Sequence, residues 1–169
     1  WYMEKSGFFN SSDGDRVYGA TDFAAYFGSL VSNGVFYATS TNLQVSPGIG
    51  LAVSVAAGSA WINGYRYENT DDLNIPLTTA NGSNPRIDRI VIRLSQITRS
   101  IQLAVVTGTP TATPVAPELT RTSDIYELGI ADVLVPAAAT SISTNNITDT
   151  RLNTSLCGLV NSLVSAVYE

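Results

Sequence analysis

Residues 86–106 constrain this chain more than any other stretch. The run R-I-D-R-I-V-I-R-L alternates, with Asp88, Ile90, Ile92 and Leu94 on one side and Ile87, Arg89, Val91 and Arg93 on the other. Period-two alternation rich in β-branched residues predicts a half-buried strand. A second run repeats it, Ile101, Leu103 and Val105 opposing Gln102, Ala104 and Val106. The short polar link between them predicts an antiparallel hairpin with a loop of about four or five residues. Burying one such Ile, Val or Leu stabilises by about 1.5–3 kcal/mol. Two strands alone are marginal, so other segments must cover this ribbon.

Those segments also read mostly as strands. Leu43-Gln44-Val45 is a short strand closed by Pro47-Gly48, and Leu51, Val53 and Val55 alternate with small residues. Ala60-Trp61-Ile62, Asn63-Gly64 and Tyr65-Arg66-Tyr67 form the strongest short hairpin pattern in the chain. Residues 73–77 fit an edge strand, because Pro76 cannot donate to a ladder. Residues 125–135 are a further strand, with Tyr126, Leu128 and Ile130 on one side, and residues 146–152 close the β region. The intervening residues 107–123 carry Pro110, Pro114 and Pro117 and read as an extended connection lying against the surface or a neighbour.

Two stretches change period. Phe23, Phe27, Leu30 and Val31 form a helical stripe, with Thr21 as cap, Asp22 in the first turn and Asn33-Gly34 as stop. This predicts a helix over about 22–32 packed on the sheet. Leu156, Val160, Leu163 and Val167 are spaced four, three and four, a coiled-coil seam. That predicts an oligomerisation helix beginning at 154–169, cut from a longer oligomeric protein. The expected fold is therefore mainly β: an antiparallel β-sandwich or open barrel over 3–153, one packed N-terminal helix and a C-terminal coiled-coil-type helix. Trp1 and Tyr2 precede Met3, the expected natural start, and read as an added remnant.

Composition then narrows the chemistry. Histidine is absent from the 169 residues, which removes Ser-His-Asp and Cys-His catalysis and the usual zinc sites. The single cysteine, Cys157, allows no internal disulfide and reads as a small apolar residue in a helix. A net charge of −5 without a long basic run argues against nucleic-acid binding. No apolar stretch is long enough to span a bilayer as a helix. Only 14% of residues are charged, leaving the surface to Ser, Thr and Asn. No cofactor, metal or catalytic residue is expected.

Several clusters invite a functional reading beside a plainer one. Asn10 and Asp13-Gly14-Asp15 resemble the start of a calcium loop but lack the remaining ligands, so a turn is the simpler reading. Asp71 and Asp72, or Asp71 with Glu68, fit solvated loop residues better than a glycosidase pair. Trp61, Tyr65 and Tyr67 could form a sugar-stacking platform, against a cross-strand aromatic pair in the core. Arg89 and Arg93 share a face, and Asp149 and Arg151 lie in a closing strand; one of them could make a buried or half-buried pair tying the C-terminal segment to the sheet, against the plainer reading of solvated sheet charges. Phe8 and Phe9 are adjacent and cannot share one strand face, so either at least one is open to a partner or a neighbouring subunit, with Arg16 and Tyr18 nearby, or both cap the ends of the sandwich.

The motifs E-K-S-G-F-F-N-S, D-G-D-R-V-Y, D-F-A-A-Y-F, A-W-I-N-G-Y-R-Y-E-N, R-I-D-R-I-V-I-R-L, T-P-V-A-P-E-L-T-R, D-I-Y-E-L-G-I-A-D-V and I-T-D-T-R-L-N occur in that order. Together the set resembles the N-terminal attachment domain of baseplate or tail-fibre proteins of phages and prophages of Gram-positive bacteria. The upper baseplate and receptor-binding-protein-like proteins of lactococcal-type siphophages are the architectural comparison. The resemblance implies a non-enzymatic virion protein, docked on distal tail or baseplate proteins of the same virion. It implies a homotrimer continuing into a stalk and host-binding domains. The competing expectation is a carbohydrate-binding module contacting host-surface glycans through Trp61, Tyr65 and Tyr67.

Overall fold

The computed structural model describes residues 4, 6–37 and 39–164. One helix, α1 (Ala20–Leu30), precedes ten strands: β1 (Gly34–Val35), β2 (Val45–Pro47), β3 (Ala52–Val55), β4 (Gly58–Ile62), β5 (Tyr65–Asn69), β6 (Leu73–Pro76), β7 (Arg86–Ser95), β8 (Ser100–Val106), β9 (Ile125–Val135) and β10 (Ile147–Asp149). They form three open antiparallel sheets, ordered β1-β4-β5, β2-β3-β6 and β10-β9-β7-β8. The three share one core, in which Val35, Leu43, Val53, Val55, Ile62, Ile90, Ile92, Leu128, Ile130 and Val133 are all buried.

The predicted hairpin is the β7–β8 pair, joined by residues 96–99, with Leu94 opposite Ile101 and Ile92 opposite Leu103. β9 flanks β7 on its other edge, and the register slips between Ile90 and Val91, leaving Ile130 as an extra residue. This bulge reverses the phase of β9. Tyr126 and Leu128 oppose Leu94 and Ile92 before it, and Ala131, Val133 and Val135 oppose Ile90, Asp88 and Arg86 after it.

The face carrying Ile90 and Ile92 also carries a buried ion pair. Arg86 Nε lies 2.8 Å from Asp88 Oδ1, with side chains 3% and 0% exposed. Arg86 further donates to the carbonyls of Thr78 and Thr79, and Asp88 accepts the Gly108 N–H. Every polar atom of the pair is thus used, as burial requires.

The opposite face is covered by residues 107–123, which lie against their own sheet. Arg89 pairs with Asp132 at 2.7 Å and donates to the Pro117 carbonyl, while Glu127 accepts from Arg93 at 2.6 Å and from the Thr120 N–H. Arg151, 2% exposed, is held by Asp149 and donates to the carbonyls of Ser40 and Asn42, tying the C-terminal segment to the β1–β2 connection. Burial pushes the Asp149 carboxyl up, but the Arg151 hydrogen bonds and charge outweigh it and leave it below its ordinary value.

Four expectations need correction. Residues 154–164 form no α-helix. Gly158 adopts φ 87° in the middle of the expected seam, and the following residues run beside β1 instead. Gly158 O accepts the Val35 N–H, Val160 N donates to Val35 O, and Leu163 N donates to Leu30 O. Leu156 and Val160 are half-buried and Leu163 is exposed, while Val167 lies outside the described residues. A helix this short has little stability of its own, so backbone pairing with β1 wins. Cys157 is accordingly buried just after a turn, not in a helix.

Second, the helix starts and stops two residues early. Gly19 takes the cap position, with its N–H bonded to Asp22 Oδ2 at 2.8 Å, and Val31 is already extended. Asn33 instead clamps the β4–β5 turn, its side chain pairing with Asn63 at 2.7 and 2.9 Å. Third, Leu43 is buried in a turn at φ 54°, and the strand begins at Val45. Fourth, the stripe of α1 is not buried on the sheet: Phe23 and Phe27 stay exposed, and Phe27 meets β4 at the Trp61 ring. Ala24 is the buried residue of the helix, and Gly28 lies over the Asn63-Gly64 turn. Gly64 has φ 80°, and a Cβ there would overlap the Ala24 carbonyl oxygen. Close backbone approach through Ala24, Gly28 and Gly64 turns the aromatic stripe outward.

Candidate docking face

The outward-turned stripe of α1 is one part of a continuous aromatic surface. Phe8 lies at its centre, with ring centroids 5.3 Å from Tyr18, 5.3 Å from Phe23 and 5.1 Å from Tyr26. Tyr26 contacts Phe27 at 5.7 Å, Phe27 contacts Trp61 at 5.4 Å, and Trp61 contacts Phe36 at 6.5 Å. Four elements thus contribute: the N-terminal segment, α1, the residue after β1, and β4.

Local bonding fixes each contributor. The Tyr18 hydroxyl accepts the Phe9 N–H at 2.8 Å and donates to the Phe9 carbonyl, closing residues 9–18 into a loop that presents Phe8. Within that loop Asp13 and Gly14 make the turn at positive φ, and Asp15 accepts the Ser12 N–H at 2.7 Å. The Asp13–Asp15 carboxylates are therefore turn residues, and no three His, Cys, Asp or Glu side chains cluster among the described residues. Asp71 likewise accepts the Asp72 N–H, as a turn carboxylate does. Arg16 stacks over the Phe9 ring at 5.5 Å, beside the face. Asn42 donates to the Phe36 carbonyl and accepts the Ser59 N–H, holding Phe36 at the far end.

The surface is neither core nor rim. Phe8, Phe23, Tyr26 and Phe27 are 44%, 49%, 49% and 39% exposed, and the four line a hollow of about 370 Å³. Each aromatic pair contributes about 0.5–1.5 kcal/mol beyond its area burial. Each of the four residues remains substantially exposed, which leaves part of the hydrophobic driving force unused. Contiguous exposed apolar surface is a feature interaction sites share, and aromatics beside Arg are the residues interface centres favour.

The predicted partner residues therefore converge: Phe8 with Tyr18, and Phe9 with Arg16 alongside. Phe23, Tyr26, Phe27 and Phe36 join them and were not expected to. Their signal was Ala24 and Gly28, small residues four apart that mark the helix face able to approach another backbone. The proposed Trp61–Tyr65–Tyr67 platform is divided. The register sets Trp61 opposite Arg66, and Tyr65 and Tyr67 opposite Ile62 and Ala60, so Trp61 faces away from the two tyrosines. Trp61 lies under the aromatic face, while Tyr65 and Tyr67 pack at the edge of the core.

No helix among the described residues is long and apolar enough to cross a membrane. Comparison with protein-family models, with curated proteins and with solved structures finds no match.

Proposed function

We propose that this chain is a non-enzymatic attachment module that anchors a tail fibre or receptor-binding protein to the baseplate or tail tip of a phage. The observation that carries the reading is the aromatic face, which has Phe8 at its centre and no cover within the described chain. The motif resemblance supplies the class of partner, a distal tail or baseplate protein of the same virion. A rigid β body beneath the face suits a module that transmits orientation more than it turns over substrate. The histidine-free sequence agrees with a non-catalytic role. The homotrimeric state and the continuation into a stalk and host-binding domains are part of the same proposal. With residues 154–164 not helical, the trimer rests on the resemblance alone and no longer on heptad spacing.

The test is reassembly. Phe8→Ala and Phe9→Ala chains are mixed with tail particles lacking this protein, and co-sedimentation is measured. Both variants are expected to bind tails less well while remaining folded, since the two rings are 44% and 58% exposed. A stability loss of roughly 3–5 kcal/mol, as for a core Phe deletion, would instead make these residues structural. Undiminished co-sedimentation would refute the docking role.

A further inference from the structure

A second concavity lies between β5 and the turn of the β7–β8 hairpin. It encloses about 570 Å³, within the roughly 300–1,000 Å³ typical of small-ligand clefts. Tyr65 and Tyr67 line it beside Leu94 and Ile101, and Arg66, Glu68, Gln96 and Arg99 surround them. It shares no lining residue with the aromatic hollow on α1.

The polar groups here are largely unspent. Arg66 and Glu68 satisfy each other at 2.8 Å. The side chains of Tyr65, Tyr67, Gln96 and Arg99 have no hydrogen-bond or ion-pair partner among the described residues. Burial raises the Tyr67 phenol above its ordinary value, so it remains a hydrogen-bond donor through the neutral range. Arg99 stands exposed on the rim, in the turn of the β7–β8 hairpin at φ 53°. Two phenols and an amide beside Leu94 and Ile101 offer donors and acceptors together with aromatic ring surface. That combination suits a polyhydroxylated ring whose C–H face is apolar and whose edge is polar. With the Arg66 and Glu68 charges cancelling, Arg99 leaves one positive charge unmatched, and a guanidinium prefers a planar carboxylate.

We propose that this groove is a binding site for an acidic saccharide, in which Tyr65 and Tyr67 contact the sugar and Arg99 pairs with its carboxylate. The site differs from the sequence-based platform in losing Trp61 and gaining Gln96 and Arg99. It shares no lining residue with the docking face, and Ala20 and Thr21 at the start of α1 form part of its wall.

The test is ligand-observed NMR and calorimetry on the full chain with three probes: a glucuronic acid–N-acetylglucosamine disaccharide, neutral di-N-acetylchitobiose, and inorganic phosphate. The acidic disaccharide is expected to show saturation transfer and to bind more tightly than the neutral one. Arg99→Gln should weaken the acidic disaccharide about tenfold or more, the loss of one charge-assisted contact, and leave chitobiose unchanged. Tyr65→Ala should abolish both signals, and Tyr67→Phe, which keeps the ring, should weaken them. Unchanged melting curves show that each variant is folded. Three results would overturn the proposal: no saturation transfer from the acidic disaccharide, equal affinity for the two sugars, or full competition by phosphate alone. Binding indifferent to Arg99→Gln and Tyr65→Ala would place the ligand elsewhere and overturn it as well.

Discussion

Replacing Gly64 by Ala should detach α1 from the β4–β5 turn and dismantle the aromatic face while leaving the main sheets intact. The magnitude has two parts. Gly64 sits at φ 80°, and an L-residue held there costs about 1–2 kcal/mol. The new Cβ would also lie 2.6 Å from the Ala24 carbonyl carbon and 2.8 Å from its Cα, short of ordinary contact at 3.4 Å. Neither atom belongs to a flexible side chain, so the helix itself must move, at an overpacking cost of about 1–3 kcal/mol. Gly50 separates the two parts. It has φ 74° with nothing within 4 Å of its would-be Cβ, so Gly50→Ala carries the backbone cost alone. Urea denaturation should show Gly64→Ala losing about 2–5 kcal/mol and Gly50→Ala about 1–2 kcal/mol. Hydrogen exchange followed by mass spectrometry should show residues 20–30 deprotected in Gly64→Ala only, with 86–106 protected in both. Equal losses in the two variants, with helix protection unchanged, would refute the close-packing account of α1.

Two further outcomes follow from buried charge and burial. Arg86→Met strands the fully buried Asp88 carboxylate and should cost about 3–5 kcal/mol, seen as a lower urea midpoint, with Arg86→Met/Asp88→Leu recovering part of the loss. A midpoint shift within error would mean that the pair is solvated. Burial pushes the Cys157 thiol up to about 12, above the thiol's ordinary value, so the native protein should resist iodoacetamide at pH 8 and react only when unfolded. Because the native state then holds a proton that the unfolded state releases, stability should be constant below the ordinary thiol value and fall as pH rises through it toward 12. A Cys157→Ala chain should lack that part of the alkaline decline.

Strands were legible in this sequence wherever alternation was clean. The β7–β8 ribbon and the Asn63-Gly64 hairpin stand where period and turn chemistry put them, because both are local signals. The pairing of Arg93 with Glu127 and of Arg89 with Asp132 was not legible. Glu127 and Asp132 are five apart, which sets them on opposite faces of a regular strand, and only the bulge at Ile130 returns both to one face. The Arg86–Asp88 pair was hidden differently: Asp88 shares the face of Ile90 and Ile92, but an arginine two residues before it carries no sequence signal of burial. At the candidate site, Phe8 and Tyr18 were visible as residues without a strand period. The orientation of α1 was not, because a large apolar stripe outweighs two small residues in any pattern of hydrophobicity. The structure inverts that weighting: Ala24 and Gly28 permit backbone contact, and the bulky rings are left facing out. The C-terminal seam misled for a related reason. Spacing of four, three and four suits a helix, yet Gly158 interrupts it and β1 offers backbone partners that an isolated helix lacks.

The central claim, that the aromatic face is the docking surface, is tested most directly by electron cryo-microscopy of tail tips assembled with this protein. The account predicts Phe8, Phe23, Tyr26 and Phe27 buried against a neighbouring tail or baseplate protein, with the hollow between them filled by the partner's side chains. A reconstruction in which the module is bound through another surface, with these four rings still facing solvent, would contradict it.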